Sequence, residues 1–192
     1  PNKCPVCGSK VVRDKIKLGK KEKEEKYIRC TGEFKCSSQV IERIKHFSSK
    51  SAFDIDGLGE KQINDYYSEK LIKSPVDIFY LERKYKDNPP PFWRYTSGSK
   101  TKIGTIKDSA IKLFEAINKK REIDLDRFLF SLGIRHLGLS SADLIANYYK
   151  SIDAMLENIS NNSINQSMQE LLSLDGVGEK VAISIIDFFQ KS

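Results

Sequence analysis

The four cysteines of this 192-residue chain all fall in its first 36 residues, as Cys4-Pro5-Val6-Cys7 and then Cys30 and Cys36. A C-x2-C knuckle followed by a wider C-x5-C pair can set four thiolates tetrahedrally around one zinc ion. A catalytic zinc keeps one coordination position open, usually with His or a carboxylate among its ligands, whereas four thiolates close the shell. The chemistry expected of Cys4, Cys7, Cys30 and Cys36 is therefore structural Zn2+ binding. Two disulfides are the alternative, and the cysteine-free remainder argues against them and for a reducing cytoplasm. Gly8 is expected to let the backbone turn behind the second thiolate, and Gly32 to do the same in the second knuckle.

A second chemistry is carried by a recurring turn of two glycines around an apolar residue. Its clearest copies are Asp56-Gly57-Leu58-Gly59-Glu60-Lys61 and Asp175-Gly176-Val177-Gly178-Glu179-Lys180. Ile134-Arg135-His136-Leu137-Gly138 keeps the second glycine and has His136 at the first position. Lys102-Ile103-Gly104-Thr105-Ile106-Lys107 keeps one glycine only. Such a turn lets the backbone approach a ligand closely, and the amides of the next helix N-terminus make an anion site. Gly57, Gly59, Lys61, Gly104, Lys107, His136, Gly138, Gly176, Gly178 and Lys180 are the candidate phosphate-binding residues. Contacts of this kind ignore base identity and weaken with salt. Bulky residues at Gly59 and Gly178 are expected to weaken binding without unfolding the chain. Joining two antiparallel helices is the bland role of one such turn; internal repetition in a basic chain favours the phosphate role.

The elements that hold these residues follow from the apolar spacing. The lysine- and glutamate-rich stretch 20–26, between Val11-Val12 and Tyr27-Ile28, reads as the tip of a β-hairpin. Its charges serve either a solvated turn or a phosphate contact. Beyond Cys36 the pattern is helical: Ala110, Ile111, Phe114 and Ile117 form one stripe, and Val181, Ala182, Ile185, Ile186 and Phe189 another. Ser167 with Glu170 reads as a capping box ahead of Leu171-Leu172, and Ser140 with Asp143 as a helix start. Tyr66-Tyr67 and Tyr148-Tyr149 are expected in the core, and Trp93 to anchor the irregular loop 88–99. The expected fold is mainly α: a Cys4 zinc ribbon over 1–36, then four helix-hairpin-helix motifs over 37–192, near 52–67, 100–118, 128–149 and 168–190.

Hydrophobic residues make up 39% and charged residues 31%, which excludes a disordered chain, and no apolar run is long enough to span a bilayer. The net charge of +7 favours a polyanionic partner. His46 and His136 lack a neighbouring Ser, Cys or carboxylate pattern, and no dinucleotide fingerprint or P-loop is present, so no catalytic residue is assigned.

The ordered combination of Cys4-Pro5-Val6-Cys7-Gly8-Ser9, Arg29-Cys30-Thr31-Gly32 with Cys36, His46-Phe47, Asp54-Ile55-Asp56-Gly57-Leu58-Gly59, Leu132-Gly133-Ile134-Arg135-His136-Leu137-Gly138 and Gly176-Val177-Gly178 resembles the bacterial NAD-dependent DNA ligases. The resemblance covers essentially the whole chain. It implies the zinc finger and four-hairpin domain of an enzyme that adenylates its own lysine from NAD, transfers AMP to a 5′-phosphate and seals the nick. By the same resemblance, the hairpin domain grips the minor groove of nicked double-stranded DNA in replication and repair. The zinc finger orients it against an oligonucleotide-binding barrel, and a BRCT domain usually closes the chain. The adenylation motif, a lysine one residue before Asp-Gly, is absent: neither Asp56-Gly57 nor Asp175-Gly176 has it. The chain is therefore expected to be an excised, monomeric, cytoplasmic and nucleoid-associated piece that does not ligate alone, with NAD and Mg2+ bound outside it. Its implied partners are DNA and the catalytic and barrel domains. A hairpin module of another DNA repair protein and a protein-interaction module are the alternatives.

Overall fold

The computed structural model describes residues 2–18, 21–97 and 103–190, with the backbone alone over 14–18 and 21–26. Antiparallel strands β1 (Val11–Leu18) and β2 (Lys21–Cys30) form the ribbon, in register from Val11 opposite Cys30 to Leu18 opposite Lys21 with an irregularity between Arg13 and Lys15. The expected β-hairpin is thus present. Its connection at 19–20 and the side chains of its charged tip lie outside the described residues.

Cys36 ends the second knuckle and is also the N-cap of α1 (Ser37–Ser48), its carbonyl accepting from the Val40 amide at 3.0 Å. There follow α2 (Glu60–Ser68), a 3-10 turn over Pro75–Tyr80, α3 (Leu81–Tyr85), α4 (Asp108–Lys119), α5 (Leu125–Ser131), α6 (Leu139–Tyr149), α7 (Ile152–Asn161), α8 (Ile164–Ser173) and α9 (Glu179–Gln190). The mainly helical expectation holds.

Two apolar cores divide the helices. The first gathers Val40, Ile44 and Phe47 of α1, Ile63 and Tyr66 of α2, Ile78, Leu81, Trp93, and Ala110, Leu113, Phe114 and Ile117 of α4. The second gathers Leu129 of α5, Ala142, Ile145 and Tyr149 of α6, Met155 and Ile159 of α7, Leu171 of α8, and Val181, Ala182, Ile185 and Ile186 of α9. Helix α5 straddles the two: Phe128 packs against the first core, Leu125 and Phe130 against the second. No helix among the described residues is long and apolar enough to cross a membrane.

Several local expectations need correction. The capping box of α8 is Ser163 with Gln166, the Ser163 hydroxyl accepting from the Gln166 amide at 3.3 Å and the Gln166 Oε1 from the Ser163 amide at 2.9 Å. Two S-x-x-Q/E signals stand in tandem here, and the earlier one adds a further helical turn, leaving Ser167 inside the helix and fully buried. The Ser140 signal fails likewise, because the N-cap of α6 is Gly138, two residues earlier. On α4 the stripe rotates: Leu113 is buried and Ile111 exposed. Tyr148 is exposed too, its hydroxyl donating to Glu170 at 2.9 Å while Tyr149 takes the core position.

Candidate functional site

The four Sγ atoms of Cys4, Cys7, Cys30 and Cys36 all lie within 4.8 Å of one another. A tetrahedral zinc with Zn–S bonds near 2.3 Å sets neighbouring sulfurs about 3.8 Å apart. The cluster therefore fits one ion, and all four cysteines are free thiols. Gly8 takes the left-handed conformation expected of it, φ +71°. Gly32 does not: its φ is −74°, and the left-handed residue of that knuckle is Glu33. What Gly32 supplies is room, since a Cβ there would sit 2.7 Å from Cys7 Sγ and 3.1 Å from Cys30 Sγ. Its amide also donates to Cys30 Sγ at 3.2 Å. Hydrogen bonding from Ser9, helped by Cys30 and Cys4, holds the Cys7 thiol down at about 6. Partial burial, with the hydrogen bonds to Cys7 and Cys4, pushes Cys30 up to about 12. The two sulfurs lie 3.4 Å apart, and a cation bound by both must displace whatever protons they carry.

The repeated turns have one construction in three copies. In each, the plug amide closes a turn onto the carbonyl three residues back: Leu58 to Ile55 (3.3 Å), Leu137 to Ile134 (3.1 Å) and Val177 to Leu174 (3.0 Å). The third residue of each turn is left-handed, at Gly57 (φ +80°), His136 (+64°) and Gly176 (+92°), as a type II turn demands. The plugs Leu58, Leu137 and Val177 are buried. The next glycine, Gly59, Gly138 or Gly178, begins the helix, its carbonyl accepting from Ile63, Ala142 or Ala182 at 3.0, 2.9 and 3.1 Å. Lys61 and Lys180 stand exposed in the first turns of α2 and α9. Glu60, beside Lys61, is engaged by Lys45 at 2.6 Å, which holds its carboxyl below the usual range.

The first and second glycines differ in what they answer to. A Cβ at Gly176 would sit 2.8 Å from Leu144 Cδ1 of α6, and one at Gly57 would be 3.8 Å from Leu113 Cδ1 of α4. The first turn thus lies against the helix of the second hairpin, α4, and the fourth against that of the third, α6. Gly59 and Gly138 have extended conformations (φ −84° and −90°) and no side-chain cap. Nothing lies within 4 Å of a Cβ at Gly138 or Gly178, and at Gly59 the nearest atom is the flexible end of Gln62 at 3.3 Å. Gly176→Ala is accordingly expected to cost about 1–3 kcal/mol. Gly138→Ser should be neutral or stabilising by up to about 1 kcal/mol, because serine is a better N-cap. Urea denaturation of the two variants checks the contrast, and equal costs would refute it.

The second copy is built differently. Gly104 is left-handed (φ +83°), but its amide donates to Tyr95 at 2.9 Å, and the Lys107 amide to Trp93 at 2.6 Å. The turn is closed against the extended segment Arg94–Tyr95, in bridges to Ile106 and Ile103, instead of onto itself. Lys107 occupies the N-cap of α4 where the other copies have glycine. Lys102 and the loop residues Gly98 and Ser99 lie outside the described residues. Trp93 anchors this loop as expected, its indole N–H donating to Tyr66 Oη at 3.0 Å.

Left-handed turn, buried plug and glycine-started helix, used three times, define a helix-hairpin-helix protein, and residues 127–192 match the family described as "Helix-hairpin-helix motif". Over its whole length the chain is similar to bacterial DNA ligases. It is 44% identical over 98% of its length to the DNA ligase of Parvibaculum lavamentivorans, and 43% identical over 100% to that of Wolbachia pipientis. The DNA ligase of Xanthobacter autotrophicus is 38% identical over 98% of the chain. The chain spans about a quarter of the length of these relatives (26% of each).

Sequence reasoning missed one feature. His46, on the last turn of α1, hydrogen-bonds through Nε2 to the Phe130 carbonyl of α5 at 2.7 Å. Its signal was the His46-Phe47 pair, which carried resemblance but no chemistry.

Proposed function

We propose that this chain grips duplex DNA through backbone phosphates seated at its hairpin turns, without reading sequence. In this reading it is the DNA-gripping region of an NAD-dependent ligase acting on nicks in replication and repair. The observation that carries the reading is the second glycine of the turns. At Gly138 and Gly178 neither a left-handed backbone nor any atom of the chain excludes a side chain. A glycine that the protein's own packing does not require is best explained by an outside group that must come close to the helix amides. The relatives' printed name, DNA ligase, and the charge of +7 point to a phosphate as that group.

Gly57, Gly59, Gly138, Gly176 and Gly178 then shape the phosphate seats, with Lys61, Lys180 and His136 beside them. Gly104 and Lys107 form a weaker seat, because lysine stands at the helix N-cap where the other copies have glycine. Minor-groove docking across a nick, a monomeric state and nucleoid association belong to the same reading. The ion held by the cysteines is Zn2+, with a purely structural role. Adenylation, NAD and Mg2+ belong to other parts of such a ligase, since neither Asp-Gly pair here follows the required lysine.

The test replaces Gly59 and Gly178 together with threonine. Threonine is a favourable N-cap whose hydroxyl takes up the very amides a phosphate would use, so folding is retained while the seats close. Fluorescence anisotropy with nicked and intact duplexes should show affinity falling by on the order of 100-fold, two charge-assisted contacts having been lost. Wild-type binding should fall steeply with salt. Unchanged affinity in the folded double variant would sink the reading and leave a protein-interaction module, whose apolar interface need not respond to salt.

A further inference from the structure

The two cores, each holding one pair of turns, meet where α1 lies against α5. His46 is half-buried at the end of α1, and its imidazole lies against Phe130 with ring centroids 4.6 Å apart. A carbonyl can only accept, so the 2.7 Å contact has the Nε2 hydrogen donated to Phe130. That carbonyl also accepts from the Gly133 amide at 3.1 Å, where α5 runs out. Carbonyls at a helix C-terminus have no partner within the helix, so a donor from the other half meets a standing need. Gly133 fits the same contact: it is left-handed (φ +63°), and a Cβ there would be 3.5 Å from His46 Cδ2. A second polar tie between the halves runs from Arg127 Nη2 to the Lys50 carbonyl at 2.7 Å, and it is exposed.

We propose that His46, donating to the Phe130 carbonyl with its ring seated over Gly133, is the latch that fixes the spacing of the two hairpin pairs. It is a positioning residue: it touches no ligand, and it acts by letting both pairs meet one duplex at once. This proposal rests on the phosphate-gripping reading for its DNA consequence, but the latch itself is a property of the protein alone. Two weak grips held at a fixed spacing make the second contact intramolecular, and slack between them dissipates that gain.

The zinc-loaded chain and its His46→Ala, His46→Gln and His46→Phe variants serve for the test. Gln returns an N–H donor at similar reach, whereas Phe keeps the ring and removes the donor. Residual dipolar couplings of backbone amides read the spacing without DNA. One alignment tensor should fit residues 37–119 and 125–190 together in the wild type and in His46→Gln, and two should be needed for His46→Ala and His46→Phe. Binding is then followed along a series of duplexes of increasing length. Wild-type affinity should step up when the duplex reaches the second pair, and His46→Phe should lose that step by about tenfold while keeping its affinity for the short duplexes. A single tensor in His46→Phe, or equal losses at all lengths, would overturn the latch. Should His46→Ala fail to fold, the contrast of Gln with Phe decides, and identical behaviour of those two overturns it. Wild-type failure to bind any duplex would instead defeat the phosphate reading, with the couplings still deciding the latch.

Discussion

Removing the metal is expected to unfold residues 2–36 while the helical signal of residues 37–190 survives. Among the residues of this segment whose side chains are described, the buried ones are Cys4, Gly32 and Cys36. Val6, Tyr27, Ile28 and Phe34 are exposed, so among the residues whose side chains are described no apolar core stands behind the ribbon. Thiolate–metal bonds must then hold it, and a structural zinc of this kind contributes about 10–16 kcal/mol of apparent binding energy near neutral pH. Chelation, or Cys36→Ser, should abolish stoichiometric zinc and collapse the amide spectrum of the ribbon, read by metal analysis and two-dimensional NMR. A ribbon still folded without metal would refute this. The pH dependence has a definite sign. Protons compete with the metal for sulfur, and the raised Cys30 thiol must lose its proton on binding. Affinity should therefore drop as pH falls from 8 toward 6, measured by competition with a chromophoric chelator.

The second large effect is expected at Trp93. Its indole is 4% exposed and sits edge-on to Tyr66, Phe92, Tyr85 and Phe114, at centroid distances between 5.1 and 6.1 Å. Trp93→Ala leaves a cavity at the centre of the first core and deprives the buried Tyr66 hydroxyl of its donor. The cost should be about 3–5 kcal/mol, a large part of the 5–15 kcal/mol that holds a typical domain together. Trp93→Phe should cost about 1–3 kcal/mol, mostly from the lost hydrogen bond. Guanidinium unfolding followed by circular dichroism separates the two. A Trp93→Ala variant of wild-type stability but impaired DNA binding would move the indole from the core to the ligand.

How much of this was legible in the sequence depended on how local the determinant is. The cysteine cluster and the Gly-Leu-Gly and Gly-Val-Gly turns could be read directly, because residue type and short spacing dictate their geometry. His136 in the left-handed position followed from alignment with the other turns. The second turn could not be read, because its closure depends on Tyr95 and Trp93 across a loop, a pairing that no periodicity encodes. The Ser167 and Ser140 signals failed because competing starts lay within four residues, and hydrogen bonding chose between them. The meeting of His46 with Phe130, 84 positions apart, is a tertiary fact with no local signature.

The double duty of Cys36 has a mechanical consequence. The last cysteine of the cluster is also the residue from which α1 springs, and α1 runs for 12 residues, about 18 Å, to the turn that carries His46. No slack chain separates the cysteine ribbon from the junction of the two cores. The helix is a tiller: whatever docks on the ribbon and tilts it applies a torque at the far end, where the spacing of the turns is set.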